Sequence, residues 1–88
     1  MSRLVNAACA AFDVTLERFT NHRLMSTDEV EARACVCWAL RAQGLTLKVI
    51  ADQLQYHDYQ RPSKLIKRVE ASPRLLRVAQ LLANGSAR

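Results

Sequence analysis

Thr46-Leu47-Lys48-Val49-Ile50-Ala51-Asp52-Gln53-Leu54-Gln55, then Tyr56-His57-Asp58-Tyr59-Gln60, then Arg61-Pro62-Ser63-Lys64-Leu65-Ile66-Lys67-Arg68-Val69, is the stretch on which the fold is decided. Thr46 can cap a short helix, Leu47 to about Gln55, with Leu47, Ile50, Ala51 and Leu54 inward. Tyr56 to Gln60 forms a turn, and a further helix starts near Arg61 or Pro62 and ends near Ala71. At ~100° per residue, Arg61, Lys64 and Arg68 fall within ~60° of one another, and Lys67 flanks them. Leu65, Ile66 and Val69 occupy the opposite arc. Short helix, brief turn and basic amphipathic helix together predict a helix-turn-helix.

Charge is placed as unevenly as this pattern requires. Residues 56–88 hold seven Lys/Arg against Asp58 and Glu70, a net +5. Residues 1–55 hold six of each sign and sum to zero. A basic last third in a compact domain points to a polyanion, most often nucleic acid. Arg74 and Arg77 are expected to extend the same positive region.

The remaining elements work outward from there. Ser2 can cap a first helix with Leu4, Val5, Ala8, Cys9 and Phe12 on one face, and Asp13 and Val14 break it. Thr15 caps a short helical turn carrying Leu16 and Phe19, and Asn21 to Met25 forms a loop with His22 solvated in it. Ser26 with Glu29 matches a capping box for a helix running to about Gln43, with Gly44 as its left-handed terminator. Ala34 to Leu40 is apolar on every side, which predicts a central helix buried by its neighbours. Ser72-Pro73 opens a last helix to about Ala83. The sum is a small all-α domain of five or six helices over residues 1–83, with residues 84–88 a loose tail.

Several functions are disfavoured by composition. Half of the 88 residues are apolar, so a core can form without metal or disulfide staples. Cys9, Cys35 and Cys37 are odd in number, which fits a reducing cytoplasm. On a helix the Cys35 and Cys37 thiols point ~200° apart and cannot chelate one metal, so both are expected in the core. No apolar run approaches the ~18–20 residues of a membrane span. The apolar run after Arg3, framed by Asn6 and Asp13, is too short for a secretion signal. No arrangement of nucleophile, base and orienting group is visible, and Ser63 has no assignable partner, so neither catalysis nor a cofactor is expected.

Longer stretches carry a resemblance. Ala11-Phe12-Asp13-Val14-Thr15-Leu16-Glu17-Arg18-Phe19, Gly44-Leu45-Thr46-Leu47-Lys48-Val49-Ile50-Ala51, His57 to Pro62, Lys67-Arg68-Val69-Glu70 and Ser72-Pro73-Arg74-Leu75 follow one another as motifs do in a known module. The chain resembles, over roughly residues 4–82, the C-terminal DNA-binding domain of the bacterial replication initiator DnaA, a Trp-repressor-like helical module. That resemblance implies a double-stranded DNA binder that uses the helix after residue 58 in the major groove. It also implies a minor-groove arginine, which aligns with Ala32 and lies one position from Arg33. Asp58 matches the family's signature, whereas His57, Tyr59, Gln60, Arg61 and Pro62 depart from it.

These readings converge on a DNA-binding set of His57, Tyr59, Gln60, Arg61, Ser63, Lys64, Lys67 and Arg68, with Arg33 and Lys48 beside it. His57 can be a proton-gaining contact to phosphate or simply a turn residue. Pro62 is expected at the first helical position, leaving Tyr59 and Gln60 in an extended turn that faces the groove. Gln60 can then read adenine and Arg61 guanine, so the preferred site is expected to differ from the initiator's. The expected setting is the cytoplasm, on the nucleoid, with action by site occupancy or recruitment of a replication or transcription protein. The rival is a protein-interaction module of the same fold that has lost DNA readout and binds an acidic protein.

Overall fold

The computed structural model describes residues 2–86, and these form six helices and no strand. They are α1 (Ser2–Phe12), α2 (Leu16–Thr20), α3 (Thr27–Ala42), α4 (Leu47–Gln53), α5 (Gln60–Glu70) and α6 (Pro73–Ser86). Helix α3 packs against each of the other five. Its segment from Ala34 to Cys37, together with Ala39, is completely shielded from solvent. An all-round apolar helix is stable in water only when enclosed in this way.

Helices α1, α3 and α4 all stop in the same manner. In α3, the Gly44 N–H donates to the Arg41 carbonyl and the Leu45 N–H to that of Leu40, with Gly44 at φ +98°. In α1, Asp13 (φ 54°) takes the left-handed place, its N–H on Ala10 and that of Val14 on Cys9. In α4 that place falls to Gln55 (φ 62°), its N–H on Asp52 and that of Tyr56 on Ala51. Each closure satisfies carbonyls that the helix end would orphan, and sets an apolar residue (Val14, Leu45, Tyr56) against the body. Helix α4 therefore ends at Gln53, two residues before the expected position.

The starts of α2 and α4 follow their side-chain caps, whereas those of α3 and α5 have a cap residue without such a bond, and Ser2, expected as the cap of α1, is its first helical residue. The Thr15 hydroxyl accepts from Arg18 N–H at 3.2 Å, and that of Thr46 from Val49 N–H at 3.3 Å. Ser26 occupies the cap position of α3 but makes no side-chain cap bond. The expected capping box does not form, because Glu29 is only 1% exposed and its carboxylate takes Arg18 Nε at 3.0 Å instead. A buried carboxylate gains more from an ionised donor than from a backbone N–H. At the other end of the chain, α6 runs three residues past Ala83. Of the expected tail, residues 84–86 are thus helical, and residues 87 and 88 lie outside the described residues.

All three cysteines are free and buried. Burial pushes the Cys35 thiol up to about 12, with the Glu31 charge adding and Arg74 opposing. Burial likewise pushes Cys37 up to about 12. Unfolded thiols ionise near about 8.5, so the folded state holds more protons above that and stability falls as pH rises. Thermal melts at about pH 8 and about pH 10 are expected to show a lower Tm at the higher pH. Cys37→Ala is expected to cost ~1 kcal/mol at neutral pH and to flatten that decline. An identical decline in the variant would contradict this assignment.

Candidate nucleic-acid interface

An aspartate two residues ahead of α5 holds its first turn. Asp58 Oδ1 accepts from Gln60 N–H at 2.9 Å and from Arg61 N–H at 3.4 Å. Pro62 has no N–H, and the Ser63 N–H reaches the Tyr59 carbonyl at 3.3 Å. Every donor of the first turn is therefore accounted for, and the proline removes one that would have needed a partner. This corrects the expectation for Pro62, which is the third helical residue and not the first. The conformational restriction that proline places on Arg61 is offset by the two Asp58 bonds and by burial of the Pro62 ring. Gln60 is consequently carried on the helix, and Tyr59, 57% exposed, is the only one of the pair left outside it.

With Gln60 set at 0°, Lys67, Lys64, Arg68 and Arg61 follow within an arc of ~120°. All five are exposed, and the arc contains no acidic residue. Pro62, Leu65 and Val69 are buried on the other side of α5, with Ile66 half-buried among them. None of the four cations is ion-paired among the described residues. Ser63 is half-buried at the edge, His57 is exposed in the turn, and Lys48 is exposed on the first turn of α4.

Of the expected basic residues, Arg33 is buried and Arg74, though exposed, is ion-paired. Arg33 is 5% exposed and donates Nε to the Phe19 carbonyl (2.9 Å), Nη1 to Leu24 (2.8 Å) and Nη2 to Arg18 (3.0 Å) and Asn21 (2.7 Å). Three of these carbonyls belong to the last turn and C-cap of α2, where a cation is favoured by the helix dipole. Arg33 is thus a buried clamp on the α2 end and the following loop, and its guanidinium is not presented on the surface. Arg74 pairs through Nη2 with the buried Glu31 carboxylate at 2.6 Å. That pair neutralises one charge of the basic last third, while Arg77 remains exposed.

Beside the basic arc lies a cleft of about 900 Å³ between the flank of α5, the α4–α5 turn and the loop before α3. Arg61, Lys64 and Arg68 form one side, and Met25 and Val30 contribute to its lining. His22 borders it too, and its ring meets that of Tyr56 edge to face at 4.8 Å. Partial burial, followed by the fields of Arg33, Arg61 and His57, holds the His22 imidazole below its ordinary range, against a raising contribution from the Leu54 backbone. His22 is exposed, as expected of a loop residue, with its ring resting against Tyr56. Nothing in the local sequence marks Met25 as a cleft residue, because its position follows from how the loop folds onto α3 and α5.

Comparison with protein-family models, curated proteins and solved structures finds no match to this chain. Architecture alone is therefore common ground: a six-helix all-α domain consistent with the helix-turn-helix type.

Proposed function

We propose that the domain binds double-stranded DNA, without catalysing a reaction, by laying the exposed arc of α5 in the major groove. On this reading it is a counterpart of the initiator domain that its sequence resembles, and it regulates replication or transcription by occupying a site. The supporting observation is the arc itself: Arg61, Lys64, Lys67 and Arg68, exposed and unpaired among the described residues, with no carboxylate between them. Unpaired cations on a rigid helix bind phosphates by releasing counterions, and arginine adds bidentate pairing to guanine. Gln60, placed on the helix between Lys64 and Lys67, is the residue suited to adenine.

A salt titration on random duplex DNA tests the general part. Four phosphate contacts give a slope of log K against log salt of about −4, and no salt dependence would refute the proposal. Selection from a random duplex library tests the specific part. The enriched site is expected to differ from the initiator's, and the Gln60→Ala variant is expected to lose discrimination at one base pair by roughly tenfold.

A further inference from the structure

The cations of α5 do not all face the same way. Gln60, Lys64 and Lys67 form the crest opposite the buried stripe, at ~340° to ~40° on the helix. Arg61 and Arg68, at ~80° to ~100°, form a flank that looks into the cleft, with Leu65 next to them at its base. The cleft is also lined by Met25, 55% exposed, by Val30, half-buried at the edge of the core, and by Arg33, whose guanidinium is engaged on four carbonyls. The one acidic residue lining the cleft is Asp58, and its carboxylate is engaged on the first turn of α5. The lining thus has an apolar part, Met25 and Val30, and a positive part, the exposed Arg61, Lys64 and Arg68, which no free carboxylate compensates.

A phosphate backbone would use the positive part and leave Met25 and Val30 without a partner. A volume of about 900 Å³ is also at the upper end of what ligand pockets reach, and large enough for several side chains at once. The chemistry that complements both parts is an amphipathic segment with carboxylates on one edge and aliphatic side chains on the other. From this charge complementarity we infer that the cleft is a docking groove for an acidic amphipathic helix of a partner protein. Glutamates spaced by one helical turn meet Arg61, Lys64 and Arg68, which are themselves three and four residues apart. The aliphatic face lies on Met25, Val30 and Leu65. Because Lys64 serves both crest and flank, the docked helix displaces DNA from α5, and the partner acts as a competitor of the nucleic acid. The docking itself does not depend on the DNA reading.

The test uses a synthetic helical peptide of about 14 residues, Glu and Leu at i, i+3, i+4 and i+7 on adjacent faces, against the intact protein. Its controls are polyglutamate of equal charge and a random duplex. Fluorescence anisotropy is expected to show the amphipathic peptide binding at least tenfold tighter than polyglutamate, which lacks the apolar face. Met25→Asp places a like charge on the apolar part of the lining and is expected to weaken the peptide about tenfold while changing duplex affinity less than about twofold. Arg61→Glu with Arg68→Glu is expected to abolish peptide binding. Circular dichroism checks that each variant keeps its helical content, which the exposure of all three side chains makes the expected result. Equal affinity for polyglutamate and the peptide would overturn the inference, as would equal loss of duplex and peptide binding in Met25→Asp, which would make the cleft a phosphate track. If the duplex fails to bind but the peptide behaves as described, the DNA proposal falls and this one stands.

Discussion

Replacing Arg33 by alanine is expected to remove about 3 kcal/mol or more of folding stability, the largest loss from any single side chain outside the apolar core. Four carbonyls, those of Arg18, Phe19, Asn21 and Leu24, converge on one guanidinium that is itself out of water. Truncation leaves these acceptors facing a void, and each must find water or stay unpaired. Against the roughly 5–10 kcal/mol total expected of a domain this size, the loss is severe. Arg33→Lys separates geometry from charge. A single ammonium carries three donors and cannot span four acceptors arranged around a planar fork, so lysine is expected to recover less than half of the loss. Urea unfolding followed by helical content is the measurement. A cost below about 1 kcal/mol for the alanine variant would show that the loop after α2 is held by other contacts.

Reversing Lys64 and Arg68 together, to glutamate, is expected to lower duplex DNA affinity by about a hundredfold or more at moderate salt. Two phosphate contacts are lost and two repulsions are introduced, together worth about 3 kcal/mol. Neither side chain is buried or ion-paired among the described residues, so stability is expected to change by no more than about 0.5 kcal/mol. That separation makes the variant decisive, because lost binding cannot be ascribed to unfolding if helical content and Tm are kept. Affinity within twofold of the unaltered protein would exclude α5 as the DNA-reading element. The slope of the salt dependence is expected to shrink by about two in the same variant.

Local patterns in the chain were enough for most of the architecture. The apolar spacing in α1, the caps at Thr15 and Thr46, the terminator at Gly44 and the all-apolar run of α3 each act over a few residues, and each is realised. Helix ends were less legible where the left-handed residue is not glycine. Gln55 has no intrinsic preference for that conformation, and it adopts it because the Schellman closure and the docking of Tyr56 outweigh about 1 kcal/mol of strain. The opening of α5 departs from its local signals for a related reason. Proline's local preference argued for a start at Pro62, but Asp58 supplies acceptors to the two preceding N–H groups and moves the start to Gln60.

Charge is where the sequence alone ran out. Counting placed +5 in the last third, and for Arg61, Lys64, Lys67 and Arg68 periodicity also placed the charges on one exposed arc. Three other charged positions of α3 could not be placed this way. Glu29, Glu31 and Arg33 look like ordinary charged residues near a helix start, yet all three are buried, and their partners lie 11 residues away at Arg18, 43 away at Arg74, and on carbonyls at the end of α2 and in the loop after it. Helical periodicity reports which side of a helix is apolar, because burial of hydrocarbon is non-directional and sums along a face. An ion pair or a carbonyl clamp needs two groups within about 3 Å at a fixed angle, and only the packing of distant elements decides whether they meet. The all-α fold and the basic arc of α5 were therefore determined by the sequence itself, whereas the burial of Arg33, the pairing of the exposed Arg74 with Glu31, and the cleft beside the arc were decided by tertiary structure.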